Sequence, residues 1–171
     1  SPKEFFDENS KNRVVLMTTK ASKVYTKFKF KHNDILLFGR ESAGVPKKIH
    51  ENVDKYSFYN LEKKDSEISV ISFLANDLSA KAAIKSLAKE GITVNHLSLV
   101  TLFPILETVI ADLAKNSKYI IIPEINNDGQ YAEIITSTIL KANPEVQIIK
   151  INSKADLISP ERIINEVKKR R

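Results

Sequence analysis

The sequence predicts an α/β protein: a mostly parallel open sheet with helices on both faces, similar in plan to other crossover folds, preceded by a short strand–loop–helix segment. Three observations predict it. From residue 67 onward, short β-branched runs alternate with stretches carrying apolar residues at helical spacing. Tyr119–Ile122 is apolar without interruption, the pattern of a strand covered on both faces. The intervals between strand candidates are long enough for crossover helices, which parallel pairing requires.

Each element has its own signal. Ile68–Phe73 is a β-branched run and reads as a strand. Asn76 or Asp77 suits a helix N-cap, and Leu78, Ala82, Ala83, Ile84 and Leu87 follow at helical spacing until Gly91. Ile92–Val100 alternates as a second strand. Pro104 is placed to open a helix with Ile105, Val109, Ile110 and Leu113 on one face. After the strand Tyr119–Ile122 come a turn at Asn127–Gly129, a helix over Ala132–Leu140 and a strand over Val146–Ile151. Ser159-Pro160-Glu161 is a helix start, and that helix runs into the basic residues Lys168–Arg171, which suit a helix C-terminus.

The first part is less regular. Val14–Thr18 and Ile35–Phe38 are strand candidates, and Val45-Pro46 opens a short helix to Val53. Between the strands, Tyr25–Lys31 alternates aromatic residues with lysine. Such a stretch can stack on RNA bases and neutralise phosphate; the plainer reading has aromatics inward and lysines in water. Residues 55–66 are polar and patternless, so the expected layout is a fragment at 1–54, a linker at 55–66 and a domain at 67–171.

Composition bounds the function. The apolar runs are strand-sized, far short of the roughly 20 residues of a membrane span, and no signal-peptide pattern opens the chain. Of 171 residues none is cysteine, which excludes disulfides, thiolate catalysis and iron–sulfur ligation by this chain's thiolates. A cytoplasmic protein is the expectation. Residues 1–66 hold 14 Lys/Arg against 9 Asp/Glu, whereas residues 67–171 hold 13 against 12. A basic part beside a nearly neutral one suggests two origins or two partners, with RNA possible for the basic part and a solvated surface the simpler account. The histidines His32, His50 and His96 have no metal-ligand spacing, and His96 reads as a core-edge or surface residue. No nucleophile elbow, Walker loop or dinucleotide fingerprint occurs, and four glycines leave little room for a Gly-rich nucleotide loop. No catalytic or metal residue is assigned.

Two resemblances add to this reading. Ser72–Ala83, Leu87–Val94, Leu99-Val-Thr-Leu-Phe-Pro104 and Ile122-Pro-Glu-Ile-Asn-Asn-Asp-Gly-Gln130 occur in order, followed by Ile158–Ile163. This resembles the C-terminal, transketolase-like domain of the α subunit of 2-oxoacid:ferredoxin oxidoreductases, over about 105 residues. A Gly-rich turn usual in that family is replaced here by Leu74-Ala-Asn-Asp. The resemblance implies an assembly role: thiamine diphosphate is held by other domains and a partner subunit, and this domain packs against them. Glu124, Asn126, Gly129 and Gln130 are then interface candidates. Read from the residues alone, the same turn needs φ > 0 and Glu124 is a solvated or capping acid.

Leu16-Met-Thr-Thr-Lys20 and Asp34-Ile-Leu-Leu-Phe-Gly-Arg-Glu-Ser-Ala-Gly-Val-Pro46 are similar to a different family, the SPOUT-class tRNA (cytidine-34) 2′-O-methyltransferases, over about residues 10–54. That resemblance implies that Thr18, Gly39, Glu41 and Gly44 line an S-adenosylmethionine site. The segments that complete such a knotted site in the family have no counterpart after Asp54. Three functions stay open: a non-catalytic assembly domain of a thiamine-dependent oxidoreductase, bound to a partner subunit or in a homo-oligomer; a tRNA methyltransferase completed by another chain; or a recombined chain with no reaction of its own.

Overall fold

A computed structural model describes residues 2–9, 11–18, 21, 23, 28–39, 54–56, 59–103 and 105–171. The chain divides into two compact units, Ser1–Tyr59 and Asn60–Arg171.

In the first unit, helix α1 (Pro2–Glu8) precedes strands β1 (Val14–Met17), β2 (Ile35–Phe38) and β3 (Asp54–Tyr56). They form a parallel sheet in the order β2-β1-β3. The central strand is buried, and its Val15 and Met17 pack with Phe28 into a small core. Arg13 fastens this core. Its Nε and Nη2 donate to the two carboxylate oxygens of Asp34 at 2.8 and 2.6 Å, and its guanidinium stacks 4.5 Å from the Phe28 ring centre. The hydrogen bond from Arg13 holds the Asp34 carboxyl at a pKa of about 2. Of the aromatic–lysine stretch, Tyr25–Lys27 lies outside the described residues. Phe28 is inward, while Phe30 stands edge-on to it at 4.7 Å and is exposed, with Lys29 and Lys31 in solvent. The helix expected from Val45-Pro46 also lies outside the described residues.

The second unit holds β4 (Tyr59–Glu62), β5 (Ile68–Phe73), α2 (Ala75–Lys89), β6 (Asn95–Leu99), α3 (Glu107–Ala114), β7 (Tyr119–Glu124), α4 (Gln130–Ala142), β8 (Gln147–Asn152) and α5 (Pro160–Lys168). The sheet order is β4-β6-β5-β7-β8, with β5 parallel to β6 and β7, and β7 parallel to β8. The first crossover runs from β5 to one side and the next two run to the other. Right-handed crossovers then place the helices on opposite faces: α2 packs with α5, and α3 with α4.

The core follows from strand alternation. Ile68, Val70, Ile121 and Ile151 meet Ala80, Ala83 and Leu87 of α2 and Ile163 and Val167 of α5. Ile120 and Ile122 point the other way, and Ile110, Leu113, Ile135 and Ile139 are fully buried on α3 and α4. Each such aliphatic side chain stabilises the fold by about 1.5–3 kcal/mol. No helix among the described residues is long and apolar enough to cross a membrane.

Two expectations change. Residues 55–66, patternless in sequence, contribute to β3 and form β4. Among the described residues both are edge strands, and edge strands tolerate polar and charged residues. His96, expected at the core edge or surface, is buried in β6. The helix start expected at Pro104 lies outside the described residues; α3 begins at Glu107.

Candidate functional site

β5 and β7 are neighbours whose following helices leave towards opposite faces. Their carboxyl ends therefore diverge, which is the topological switch point of the sheet, where open α/β folds form a crevice. A pocket of about 390 Å³ occupies it. The loop after β5 supplies Leu74, the loop after β6 supplies Leu102 and Phe103, and the β7–α4 turn supplies Ile125 and Asn126. Tyr131 and Ile134 of α4 complete one wall.

Leu74 has φ 50° and ψ −134°, a backbone region that favours glycine. A leucine bears that backbone strain here, with its side chain in solvent.

The turn Glu124–Gln130 is built around two side chains. The buried Glu124 carboxylate accepts hydrogen bonds from the backbone N–H of Tyr131 at 2.9 Å and of Ala132 at 3.2 Å, and from the Asn126 side-chain amide. It therefore caps the positive end of α4. Asn126 Oδ1 accepts from the N–H groups of Asp128, Gly129 and Gln130. Gly129 has φ +69°, and a Cβ there would lie 3.1 Å from Asn152 Oδ1 and from Lys150 Cδ. Gln130 is exposed. Of the four interface candidates, Glu124, Asn126 and Gly129 thus shape the turn, and Gln130 faces outward beside the pocket.

Tyr131 packs its ring edge-on against Phe73 at 5.1 Å and is buried. Burial, with the Glu124 charge beside it, pushes its phenol up to about 12. Its hydroxyl has no protein partner among the described residues.

A second polar cluster lies beneath the start of α2. Ser72 Oγ donates to Asp77 Oδ1 at 2.7 Å and lies 2.7 Å from His96 Nε2. Since the hydroxyl proton goes to the carboxylate, Nε2 carries the proton of the second bond and donates to Ser72 Oγ. Burial alone would raise the Asp77 pKa. Hydrogen bonds from His96, Lys81, Ser98 and Ser72 outweigh that and hold it well below the usual carboxylate range. A serine whose proton is given to the carboxylate, inside the core, is not an activated nucleophile. The cluster pins the start of α2 to β5 and β6.

Among the described residues, no group of three or more His, Asp or Glu is placed to hold a metal ion. In the first unit, Thr18 and Gly39 follow the paired residues Met17 and Phe38, so they fall side by side at the carboxyl edge of the parallel sheet. Glu41 and Gly44 lie outside the described residues.

The residues that sequence reasoning missed are Leu74, Ile125, Tyr131 and Ile134 around the pocket, and the Ser72–His96–Asp77 cluster. The available signal was that Leu74, Phe103 and Ile125 follow strand ends, where small or polar residues are ordinary.

No protein-family model matches the chain. A stretch of 42 residues is 60% identical to a tRNA (cytidine(34)-2'-O)-methyltransferase of Beijerinckia indica, covering 25% of this chain and 26% of that protein. Over 104 residues the chain is 27% identical to the 2-oxoglutarate synthase subunit KorA of Methanothermobacter marburgensis, covering 60% of this chain and 27% of the subunit. Among solved structures, the 2-oxoglutarate:ferredoxin oxidoreductase of Magnetococcus marinus matches with a TM-score of 0.58 at 22% identity, over 71% of this chain and 20% of that one. A split-gene transketolase, an inactive β4 tetramer, matches with a TM-score of 0.55 at 15% identity, over 65% of this chain and 41% of that one. The chain spans about a quarter of the length of the curated relatives it matches. Both resemblances read from the sequence stand, and the fold is α/β with a mostly parallel, transketolase-like sheet.

Proposed function

We propose that the second unit is a non-catalytic assembly domain, related to the α subunit of thiamine-dependent 2-oxoacid:ferredoxin oxidoreductases, and that it is fused in this cytoplasmic chain to a methyltransferase-like fragment. One observation carries the reading. At the switch-point pocket, large apolar side chains are turned to solvent, while Glu124, the one carboxylate in the lining among the described residues, is consumed by its own helix. Exposed apolar surface of this kind marks a docking site.

This reading assigns no thiamine diphosphate to that pocket. Its diphosphate would need free backbone N–H groups or a metal, and the α4 amides of Tyr131 and Ala132 are taken by Glu124. In this reading the cofactor of such a complex is held by other parts of the assembly. Interface roles for Asn126, Gly129 and Gln130 follow: the first two hold the turn, and Gln130 meets the partner.

The test is co-expression of the full chain with the thiamine-binding subunit of a 2-oxoglutarate:ferredoxin oxidoreductase from the same cell. Co-purification that is lost on Phe103→Asp supports the reading. No complex at any salt concentration contradicts it.

A second reading is favoured by the side-by-side placement of Thr18 and Gly39. Here the first unit is part of a tRNA 2′-O-methyltransferase, completed by another chain, using S-adenosylmethionine and binding RNA through its basic surface. Titration of the full chain with S-adenosylmethionine in a calorimeter tests it, and neither heat nor a stability shift would sink it. A chain that binds neither the subunit nor the methyl donor supports the remaining reading, a recombined product with no reaction of its own.

A further inference from the structure

We infer that the amino edge of the second unit binds the phosphate backbone of a nucleic acid, independently of the docking proposed for the opposite edge.

Charge is segregated along the strands of this unit. In a parallel sheet crossed by helices, strand starts and helix ends share one edge. Segments 62–67, 89–94, 112–118, 141–147 and 166–171 form that edge, and they hold ten Lys or Arg against seven Asp or Glu. At the carboxyl edge the balance reverses: segments 74–81, 100–107, 124–133 and 150–162 hold four against seven. A unit that is nearly neutral in total is thus basic at one edge and acidic at the other.

Part of this charge has an ordinary explanation. Cations at helix ends offset the helix dipole. Lys168 is paired with Glu90 at 2.6 Å, and Lys169 and Arg170 with Glu166 at 2.6 and 2.5 Å. Lys63, Lys64 and Lys118 have neither explanation. They lead into strands rather than end helices, they are exposed, and none forms an ion pair among the described residues.

Contacts place these cations together. The Lys118 N–H donates to the Glu67 carbonyl at 2.7 Å, and the Lys64 N–H donates to Asn95 Oδ1 at 2.7 Å. The two loops therefore meet at the starts of the adjacent strands β6, β5 and β7, which span about 10 Å of sheet. Lys118 Nζ and the Arg170 guanidinium lie 5.7 and 5.9 Å from the Tyr119 ring centre, so the ring holds both cations at this edge. Lys115, by its hydrogen bond, and Lys63, more weakly by its charge, hold the Asp112 carboxyl below its ordinary range, which puts Lys63 beside the end of α3.

The apolar surface at this edge selects the partner. Of the large apolar side chains exposed among the described residues, only Leu140, in the last turn of α4, lies here. A protein interface needs an apolar core depleted of charge, and a membrane-surface element needs apolar side chains to insert. A nucleic acid needs neither. Its phosphates are held by Lys and Arg, and release of their counterions drives association.

The experiment is fluorescence anisotropy of the full chain, without any partner subunit, against a labelled uridine 12-mer, a thymidine 12-mer and a glutamate peptide of equal charge. Three phosphate contacts give a slope of log affinity against log salt of about −2, so binding weakens about 20-fold between 50 and 200 mM salt. Lys64→Gln with Lys118→Gln removes two contacts. The slope is expected to fall to about −0.7 and the affinity about 25-fold at 0.1 M salt, with the thermal midpoint unchanged. Lys64→Arg with Lys118→Arg keeps the charges and the slope. Lys29→Gln with Lys31→Gln, in the first unit, separates that unit's basic surface from this edge.

Equal binding of the two 12-mers assigns the shared phosphate backbone, and tighter binding of the uridine 12-mer assigns RNA; both support the inference. No binding at low salt overturns it. So does a slope that the Lys64 and Lys118 substitutions leave unmoved, whatever the Lys29 and Lys31 substitutions do. A glutamate peptide bound as tightly as the 12-mers also overturns it and gives the edge to an acidic protein. Each of these outcomes is read without the thiamine-binding subunit and leaves the assembly reading untouched.

Discussion

Replacing Glu124 by alanine tests the local logic of the pocket turn. The carboxylate is 4% exposed and accepts from the Tyr131 and Ala132 N–H groups and from Asn126. Loss of an N-terminal cap costs about 0.5–2 kcal/mol. Each buried N–H left without an acceptor costs about 1–3 kcal/mol, less where water enters the opened space. Because the pocket lets water in, Glu124→Ala is expected to destabilise the second unit by about 3 kcal/mol. Glu124→Gln keeps one acceptor oxygen but brings an NH2 group against the Asn126 amide, so about 1–2 kcal/mol is expected. Urea unfolding followed by circular dichroism gives the free energies. Hydrogen exchange resolved to the first turn of α4 tells whether the loss is local, with residues 131 and 132 exchanging faster before any core strand does. A loss below about 0.5 kcal/mol for the alanine variant, with unchanged exchange at those two amides, would refute the capping role.

Three further outcomes follow from the same structure. The Asp77 carboxyl is held below its ordinary range, so its stabilising effect is complete above about pH 4 and fades as pH falls below that. Asp77→Asn should therefore cost about 2 kcal/mol near neutrality, and the gap to the parent chain should narrow in acid; a gap unchanged between pH 5 and pH 3 in urea titrations would contradict the network. Gly129→Ala forces a side chain to φ +69° and against Asn152 and Lys150, so a loss of about 1–3 kcal/mol is expected. Equal midpoints for Gly129→Ala and the parent chain would show that the turn adapts freely. Tyr131→Phe removes a buried hydroxyl without a protein partner, so thermal unfolding should shift by less than the equivalent of about 0.5 kcal/mol or move upward; a larger drop means that the hydroxyl is bonded in solution.

The strand–helix alternation of the second unit was legible because burial imposes a period on it. Ile120–Ile122 and the Val109, Ile110, Leu113 stripe point to the core by that rule alone, and the core contains them. Boundaries were harder where burial and hydrogen bonding part ways. Ile92 and Val94 are buried and extend the alternation, yet β6 begins only at Asn95. Asp77 looked like a cap but is spent on Ser72, and α2 starts at Ala75 behind a strained Leu74. Helix α1 is short and carries two adjacent phenylalanines rather than a helical stripe, so it left no periodic signal.

The site was half legible. The Glu124–Gln130 turn announced itself through Asn and Gly, residues chosen by backbone geometry. The pocket did not, because its walls come from three loops separated by 20 to 50 positions in the chain, and only the sheet order brings them together. His96 was misplaced for the same reason. Its partners Ser72 and Asp77 lie on other elements, 24 and 19 residues away, and no local spacing reports them.

The central claim is that the second unit docks through its carboxyl edge. Hydrogen exchange of the full chain, compared with and without the thiamine-binding oxidoreductase subunit, tests it most directly. Slowed exchange confined to residues 73–78, 100–103 and 125–134 is the predicted result. Exchange unchanged in those three segments under every condition, or protection gathered at the opposite edge of the sheet, would contradict it.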